Sequence, residues 1–190
     1  MAGGLILYLH GFRSSPRSWK VRELQAAMEA RGQGAQLLAP ALPWEPAAAI
    51  AMLETLLRDC RAPVTLAGSS LGGYYATWLA ERFDLRAVLI NPAVLSRIDL
   101  SLFLGPQTSL HDDSSFVFTA AHGAQLRALD VPHPDPARYL LLLEEGDPVL
   151  DFRDARDRYA GCKQVILPGG DHSFTQFPRF IPQILEFAGL

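Results

Sequence analysis

Cysteine is nearly missing from this chain. Its two cysteines, Cys60 and Cys162, lie far apart and belong to no metal-ligand spacing. That excludes a disulfide framework and a cysteine-held metal. The pair reads as ordinary thiols of a reducing compartment, so the cytoplasm is the expected location. Basic charge is not in excess either: 17 Lys and Arg face 20 Asp and Glu, for a formal net charge of -3. That removes the case for a nucleic-acid or polyanion surface. The densest basic group, Arg13, Arg17, Lys20 and Arg22, reads as a solvated helix face. No apolar stretch approaches the roughly 20 residues that span a bilayer. The chain opens on Met1-Ala2-Gly3-Gly4 and runs into a core-like strand with no basic leader, so a signal peptide is not expected. Internal repeats are missing. So are G-x-x-x-x-G-K-[ST] and a G-x-G-x-x-G after the first strand, which disfavours a phosphate-binding enzyme.

What is there suits a packed globule. Hydrophobic residues make up 49% and charged residues 19% of 190 residues, so one domain over residues 1–190 is expected. Short apolar runs alternate with helical patterns, the signature of an α/β fold with a parallel sheet. Strands are predicted over residues 5–9, 36–39, 64–67, 87–90, 139–143 and 164–167. Helices are predicted over 18–31, 47–60, 71–83, 152–159 and 177–187. Residues 91–138 break the rhythm, being much longer than an ordinary connection. Their apolar pieces are separated by Gly105-Pro106 and Asp112-Asp113. The alternatives are a crossover helix with long loops and a small lid or acyl-binding flap; the expectation is a mixture, one crossover helix near residues 114–129 with the preceding residues near the site. Leu95, Ile98, Leu102, Phe103 and Leu104 are candidate walls of a pocket in that flap.

The most informative residues are Gly68-Ser69-Ser70-Leu71-Gly72. They join a predicted strand to a predicted helix, and G-x-S-x-G in that context makes a sharp turn with a serine at its apex. A serine hydroxyl is a poor nucleophile until a base removes its proton and a carboxylate orients that base. In the α/β scaffold these partners follow in the order Ser, Asp, His. The fifth strand runs into Glu144-Glu145-Gly146-Asp147-Pro148-Val149-Leu150-Asp151, and the sixth into Gly169-Gly170-Asp171-His172. Both loops lie at the carboxyl edge of the sheet, where such folds place their sites. Asp147, at the strand tip, is the acid of choice. Asp151 reads as the N-cap of the next helix. Glu144 and Glu145 sit nearer the strand body, and Asp171 braces the histidine's loop. His172 is the base. His111, His122 and His133 fall in the irregular segment and read as solvated, and His10 reads as a loop brace. An oxyanion hole would use the backbone N–H groups of Leu71 and Phe12.

Taken together, Leu7 to Lys20, Gly68 to Thr77, Asn91-Pro92-Ala93, Gly146 to Asp151 and Gly170 to Phe174 resemble the YqiA-like esterases, small bacterial α/β-hydrolases. The resemblance extends over essentially the whole chain. It implies a minimal α/β-hydrolase fold with a six-stranded parallel sheet and helices on both faces. It also implies esterase or thioesterase activity on a small acyl ester or acyl-CoA, no metal or organic cofactor, and Ser70, Asp147 and His172 as the triad. Pro148 departs from the pattern, where an acidic residue is expected. An acyltransferase on the same fold is the alternative reading within enzymes. A non-catalytic binding protein is disfavoured, because no triad member is missing.

Overall fold

The alternating apolar runs form strands because both faces of the sheet are covered. In β1 (Leu5–Leu9), Ile6 and Tyr8 pack into one layer while Leu7 and Leu9 pack into the other. A computed structural model describes residues 4–111 and 114–190; residues 1–3 and the expected Asp112-Asp113 break lie outside them. The sheet continues with β2 (Leu37–Leu38), β3 (Val64–Ser69), β4 (Arg86–Ile90), β7 (Tyr139–Glu144) and β8 (Lys163–Leu167). Its spatial order is β2-β1-β3-β4-β7-β8, and every pairing is parallel. Six parallel strands and helices on both faces match the expected fold class. The register aligns Leu9 with Gly68, Ser69 with Ile90 and Glu144 with Leu167, so the loops after these strands share one edge.

One face carries α1 (Trp19–Ala30) and α6 (Phe177–Ala188), the other α2 (Pro46–Asp59), α3 (Leu71–Phe83) and α5 (Phe152–Arg158). Helix α6 holds its place through Phe177, Ile181, Ile184 and Leu185, all buried at helical spacing. Full burial of such a side chain contributes about 1.5–3 kcal/mol.

Residues 91–138 differ from the expectation of one long helix. Two 3₁₀ turns, Leu95–Arg97 and Leu100–Phe103, lead into an antiparallel hairpin of β5 (Gly105–Thr108) and β6 (Ser115–Phe118). Helix α4 is short, Ala120–Arg127. Ser115-Phe116-Val117-Phe118 alternates, turning Phe116 and Phe118 inward and Ser115 and Val117 outward, which is the period of a strand. Thr119 then caps α4 by accepting from the His122 N–H, while the His122 ring accepts from the Thr119 N–H. That reciprocal cap buries His122 against Trp44 and Phe118, so it is not the solvated residue expected. The hairpin is tied to the loop after β1. Leu110 N–H donates to Arg13 O at 2.7 Å, and Arg13 Nε–H to Thr108 O at 2.6 Å. The Phe12 ring meets Phe103, Phe116 and Phe118 edge-on.

The tightest backbone crossing lies where α3 begins. A Cβ on Gly72 would stand 2.0 Å from Leu9 O, and one on Gly68 2.3 Å from Gly72 O. Gly123 of α4 differs, since a Cβ there makes only ordinary contacts, with a Leu100 methyl at 3.7 Å and the Arg127 guanidinium at 3.8 Å. Gly72→Ala is therefore expected to lower stability by about 1–3 kcal/mol or more, through forced backbone displacement. Gly123→Ala should be neutral, or stabilising by up to about 1 kcal/mol, through helix propensity. Urea denaturation of the two variants checks the contrast.

Candidate active site

Ser70 sits between β3 and α3 with φ 55° and ψ -121°, a conformation that ordinary residues avoid. Its N–H donates to Ile90 O at 3.1 Å, and its carbonyl accepts from the N–H groups of Gly73, Tyr74 and Ala93. These bonds pin the turn and offset a strain of about 1–3 kcal/mol. The other two expected residues reach it from the ends of β7 and β8. His172 Nδ1 lies 2.7 Å from Asp147 Oδ2, and His172 Nε2 lies 3.1 Å from Ser70 Oγ. The neutral tautomer that satisfies both contacts carries its proton on Nδ1 and donates it to Asp147. Nε2 is then left to accept from the Ser70 hydroxyl.

The Asp147 carboxylate is buried and fully engaged. Oδ1 accepts from the N–H groups of Val149 (2.8 Å) and Leu150 (2.9 Å), while Oδ2 faces the imidazole. Burial by itself pushes its pKa up. The hydrogen bonds from His172, Leu150 and Val149 outweigh that and hold it below the usual carboxylate range. Asp151 is where expected: it caps α5 by accepting from Arg153 N–H at 3.0 Å and pairs with the Arg153 guanidinium. That guanidinium lowers the exposed Asp151 carboxyl to about 2.

Asp171 Oδ1 accepts from Ser173 N–H at 2.7 Å and so braces the histidine loop, as expected. Two further braces were not anticipated. Glu144 is fully buried, and its Oε2 accepts from Asp171 N–H at 2.8 Å. Asn91 donates from Nδ2 to Asp171 O at 3.1 Å, and its Oδ1 accepts from Glu144 N–H at 3.0 Å. The signal for Asn91 was its position, directly after a strand in the same edge as Ser70. Glu145 is exposed.

His10 braces its loop as expected: Nε2 accepts from Leu42 N–H at 3.1 Å and Nδ1–H donates to Gly11 O at 3.1 Å. Burial lowers its pKa, which favours that neutral form. His133 is exposed, as expected, whereas His111 is half-buried with Nε2 3.3 Å from Ser14 Oγ. The amides of Phe12 and Leu71 donate to no acceptor among the described residues. Among those residues no group of His, Cys, Asp and Glu is arranged to hold a metal ion. No helix among them is long and apolar enough to cross a membrane.

Two pockets open on Ser70. One, of about 300 Å³, is apolar and walled by Leu95, Ile98, Leu100, Phe103, Phe118 and Leu126 among others. The other, of about 260 Å³, is the more polar of the two: Tyr8, Ser14, Ser18, Lys20 and His111 stand there beside Phe12, Trp19 and Leu110. Leu102 and Leu104 are not in the apolar wall; they are 79% and 46% exposed. In a 3₁₀ turn residues three apart share a face, so Leu100 and Phe103 point together and Leu102 points away.

The parallel sheet and serine elbow define the α/β-hydrolase fold, and solved structures of that class overlay this one. A protein of Agrobacterium vitis S4, whose hydrolase assignment is itself provisional, aligns with TM-score 0.78 at 18% identity, covering 98% of this chain and 88% of its own. Mouse alpha/beta hydrolase domain-containing protein 10 aligns with TM-score 0.73 at 14% identity, covering 98% and 90%. Est1E from Butyrivibrio proteoclasticus, solved with ferulic acid bound, aligns with TM-score 0.68 at 13% identity, covering 97% and 89%. At such identities the likeness establishes the fold alone. The family is established by its own model: residues 5–189 match the uncharacterised protein family UPF0227, and the chain belongs to that family, the YqiA family its motifs resemble.

Asp147 also links the site to stability. Because its folded pKa is depressed, its contribution is present above the unfolded carboxyl pKa of about 3.9 and fades as pH falls through the lower folded value. The stability difference between wild type and Asp147→Asn should therefore hold at neutral pH and shrink below about pH 4. Thermal unfolding from pH 7 to pH 3 measures it.

Proposed function

We propose that this protein is a serine hydrolase that cleaves carboxylic esters or thioesters through an acyl-enzyme. The observation that carries the proposal is the hydrogen-bonded chain Ser70–His172–Asp147 opening onto an apolar pocket. Ser70 Oγ attacks the acyl carbonyl carbon as His172 Nε2 takes its proton. Asp147 holds the imidazole and stabilises its charged form. The oxyanion of the tetrahedral adduct accepts from the free N–H groups of Phe12 and Leu71; one such donor contributes on the order of 10²–10³ in rate. The C–O or C–S bond then breaks, and His172 returns the proton to the leaving alcohol or thiol. Water repeats the sequence at the acyl-enzyme, releasing a carboxylic acid and restoring Ser70.

Residues 91–138 are the acyl-binding cap in this reading. The aromatic contacts of Phe12 with Phe103, Phe116 and Phe118 fasten that cap to the loop that would supply an oxyanion donor. The ferulic acid held by Est1E is a carboxylic acid, the class of product an acyl pocket releases.

Fluorophosphonate should label wild type and not Ser70→Ala. Ser70→Ala and His172→Ala should each fold and lose on the order of 10⁴–10⁶ in kcat on p-nitrophenyl esters or acyl-CoAs, and the double variant should be little worse. Asp147→Asn should lose on the order of 10⁴ in rate. Asp151→Asn should cost about 1 kcal/mol of stability and little activity. Near-wild-type turnover in Ser70→Ala sinks the proposal.

Chain-length preference tests the cap separately. Phe103→Ala should change the butyryl-to-palmitoyl ratio of kcat/KM by about 10-fold or more. Leu102→Ala, whose side chain faces solvent, should not. An unchanged ratio in Phe103→Ala means the segment only covers the sheet.

A further inference from the structure

The polar pocket beside Ser70 has no role in the acyl half of the reaction. Tyr8, Ser14, Ser18, Lys20, His111 and Ser173 line it with the reacting pair, beside the apolar Phe12, Trp19 and Leu110, and among the described residues no Asp or Glu is in its walls. Three features make it a site for negative charge. The first is the start of α1. Ser18 is its N-cap, but the Ser18 side chain caps nothing, and its Oγ is buried without a partner among the described residues. The first turn of a 12-residue helix thus opens on the pocket with its N–H groups and its dipole.

The second is Tyr8. It is 1% exposed at the pocket floor, and its phenol oxygen lies near the Ser69 side chain without a well-formed hydrogen bond among the described residues. Burial pushes the Tyr8 pKa up, so the group stays a neutral donor. A ligand oxygen there would give the buried hydroxyl a well-formed acceptor.

The third is Lys20. Its Nζ donates to Ser173 O at 2.7 Å and forms no ion pair among the described residues, so further ammonium protons are available to a ligand. Burial lowers the Lys20 amine to about 8 against the pull of Asp171, Glu144 and Asp147, which leaves it mostly charged at neutral pH.

We propose that this pocket binds an anionic group, a carboxylate or a phosphate, carried on the alcohol or thiol side of the substrate close to the scissile bond. The shared wall sets the closeness: Ser70 and His172 line the same pocket as Lys20 and Tyr8. The substrate class is then an acyl ester of a small hydroxy acid or of a small phosphorylated alcohol. The acyl chain lies in the apolar pocket and the charge at Lys20, Tyr8 and the start of α1. This rests on the serine-hydrolase reading and adds the leaving group to it.

The test compares three butyryl esters on wild type: glycolate, its neutral isostere glycolamide, and 2-hydroxyethyl phosphate. At least one anionic ester should exceed the neutral one by about tenfold or more in kcat/KM, and which one does so separates carboxylate from phosphate. Lys20→Met should bring the anionic-to-neutral ratio close to one, and Lys20→Arg should keep most of it. A purely structural lysine would lower all three esters together and leave the ratio fixed, and that result overturns the proposal. So does a wild-type ratio near one. Calorimetry of the same esters on Ser70→Ala reads recognition without turnover. If wild type hydrolyses none of the esters, nor any p-nitrophenyl ester, the hydrolase reading fails. Selective anion binding to Ser70→Ala would then still uphold the pocket, and equal binding would remove it.

Discussion

Everything at the carboxyl edge of this sheet follows from how closely the start of α3 approaches the end of β1. Leu9 O and His10 O occupy the space where a side chain on Gly72 would be. With no side chain there, α3 lies directly across the ends of β1 and β3, and the turn between strand and helix must be abrupt. Ser70 takes up that bend with a positive φ. Its backbone is then held from both sides, by Ile90 O below and by three N–H donors above. The same contact sets where the chain leaves β1. The amides of Phe12 and Leu71 thus border Ser70 as a consequence of backbone packing, independent of side-chain identity.

Asp147 and His172 are fixed by a separate mechanism. The loops after β7 and β8 are joined to each other before either meets the serine. Glu145 N–H donates to Leu167 O at 2.9 Å and Gly146 N–H to Gly169 O at 2.7 Å. Glu144 and Asn91 add a buried polar bracket that grips the chain at Asp171. Glu144 Oε1 is buried without a partner among the described residues, and Oε2 is met only while the loop stays in place. The bracket therefore tolerates few positions of the loop, and His172 lies next to the residue it holds. Asp147 and His172 are held together as one unit, which meets the serine through a single bond.

Much of this was legible in the sequence. The sheet strands are apolar runs covered on both faces, so pattern alone located them, and Gly-flanked Ser70 announced its own strained turn. Asp147 could be separated from Asp151 by position, because a helix cap needs the residue just before the helix. The hairpin was not legible. Gly105-Pro106-Gln107-Thr108 has no strand character of its own, and it is paired only because β6 returns beside it. Leu102 and Leu104 were assigned to the pocket as neighbours of Phe103, although a 3₁₀ turn spreads adjacent residues around its axis. His122 was misjudged because its burial comes from Trp44, distant in sequence. Glu144 as a brace was hidden because nothing local distinguishes a solvated carboxylate at a strand end from one capped by a loop near residue 171.

The two-sided character of the site has its origin in the period of a strand. Successive residues of β1 alternate between the layers, so Tyr8 lies with α1 and α6 while Leu7 and Leu9 lie with α3. Above the strand ends each layer opens into its own pocket. The apolar pocket is continuous with the α3-side core: Phe12, Leu71, Leu95, Ile98, Phe103 and Phe118 belong to that cluster and to the pocket wall. The more polar pocket opens above Tyr8 on the α1 side, where that helix begins and places Trp19 and Lys20 in the wall. Ser70 stands on the divide, at the end of the strand the two layers share. In the proposed reading the acyl group of an ester lies in one environment and its leaving group in the other, and it is the alternation of the sheet that makes the two environments differ.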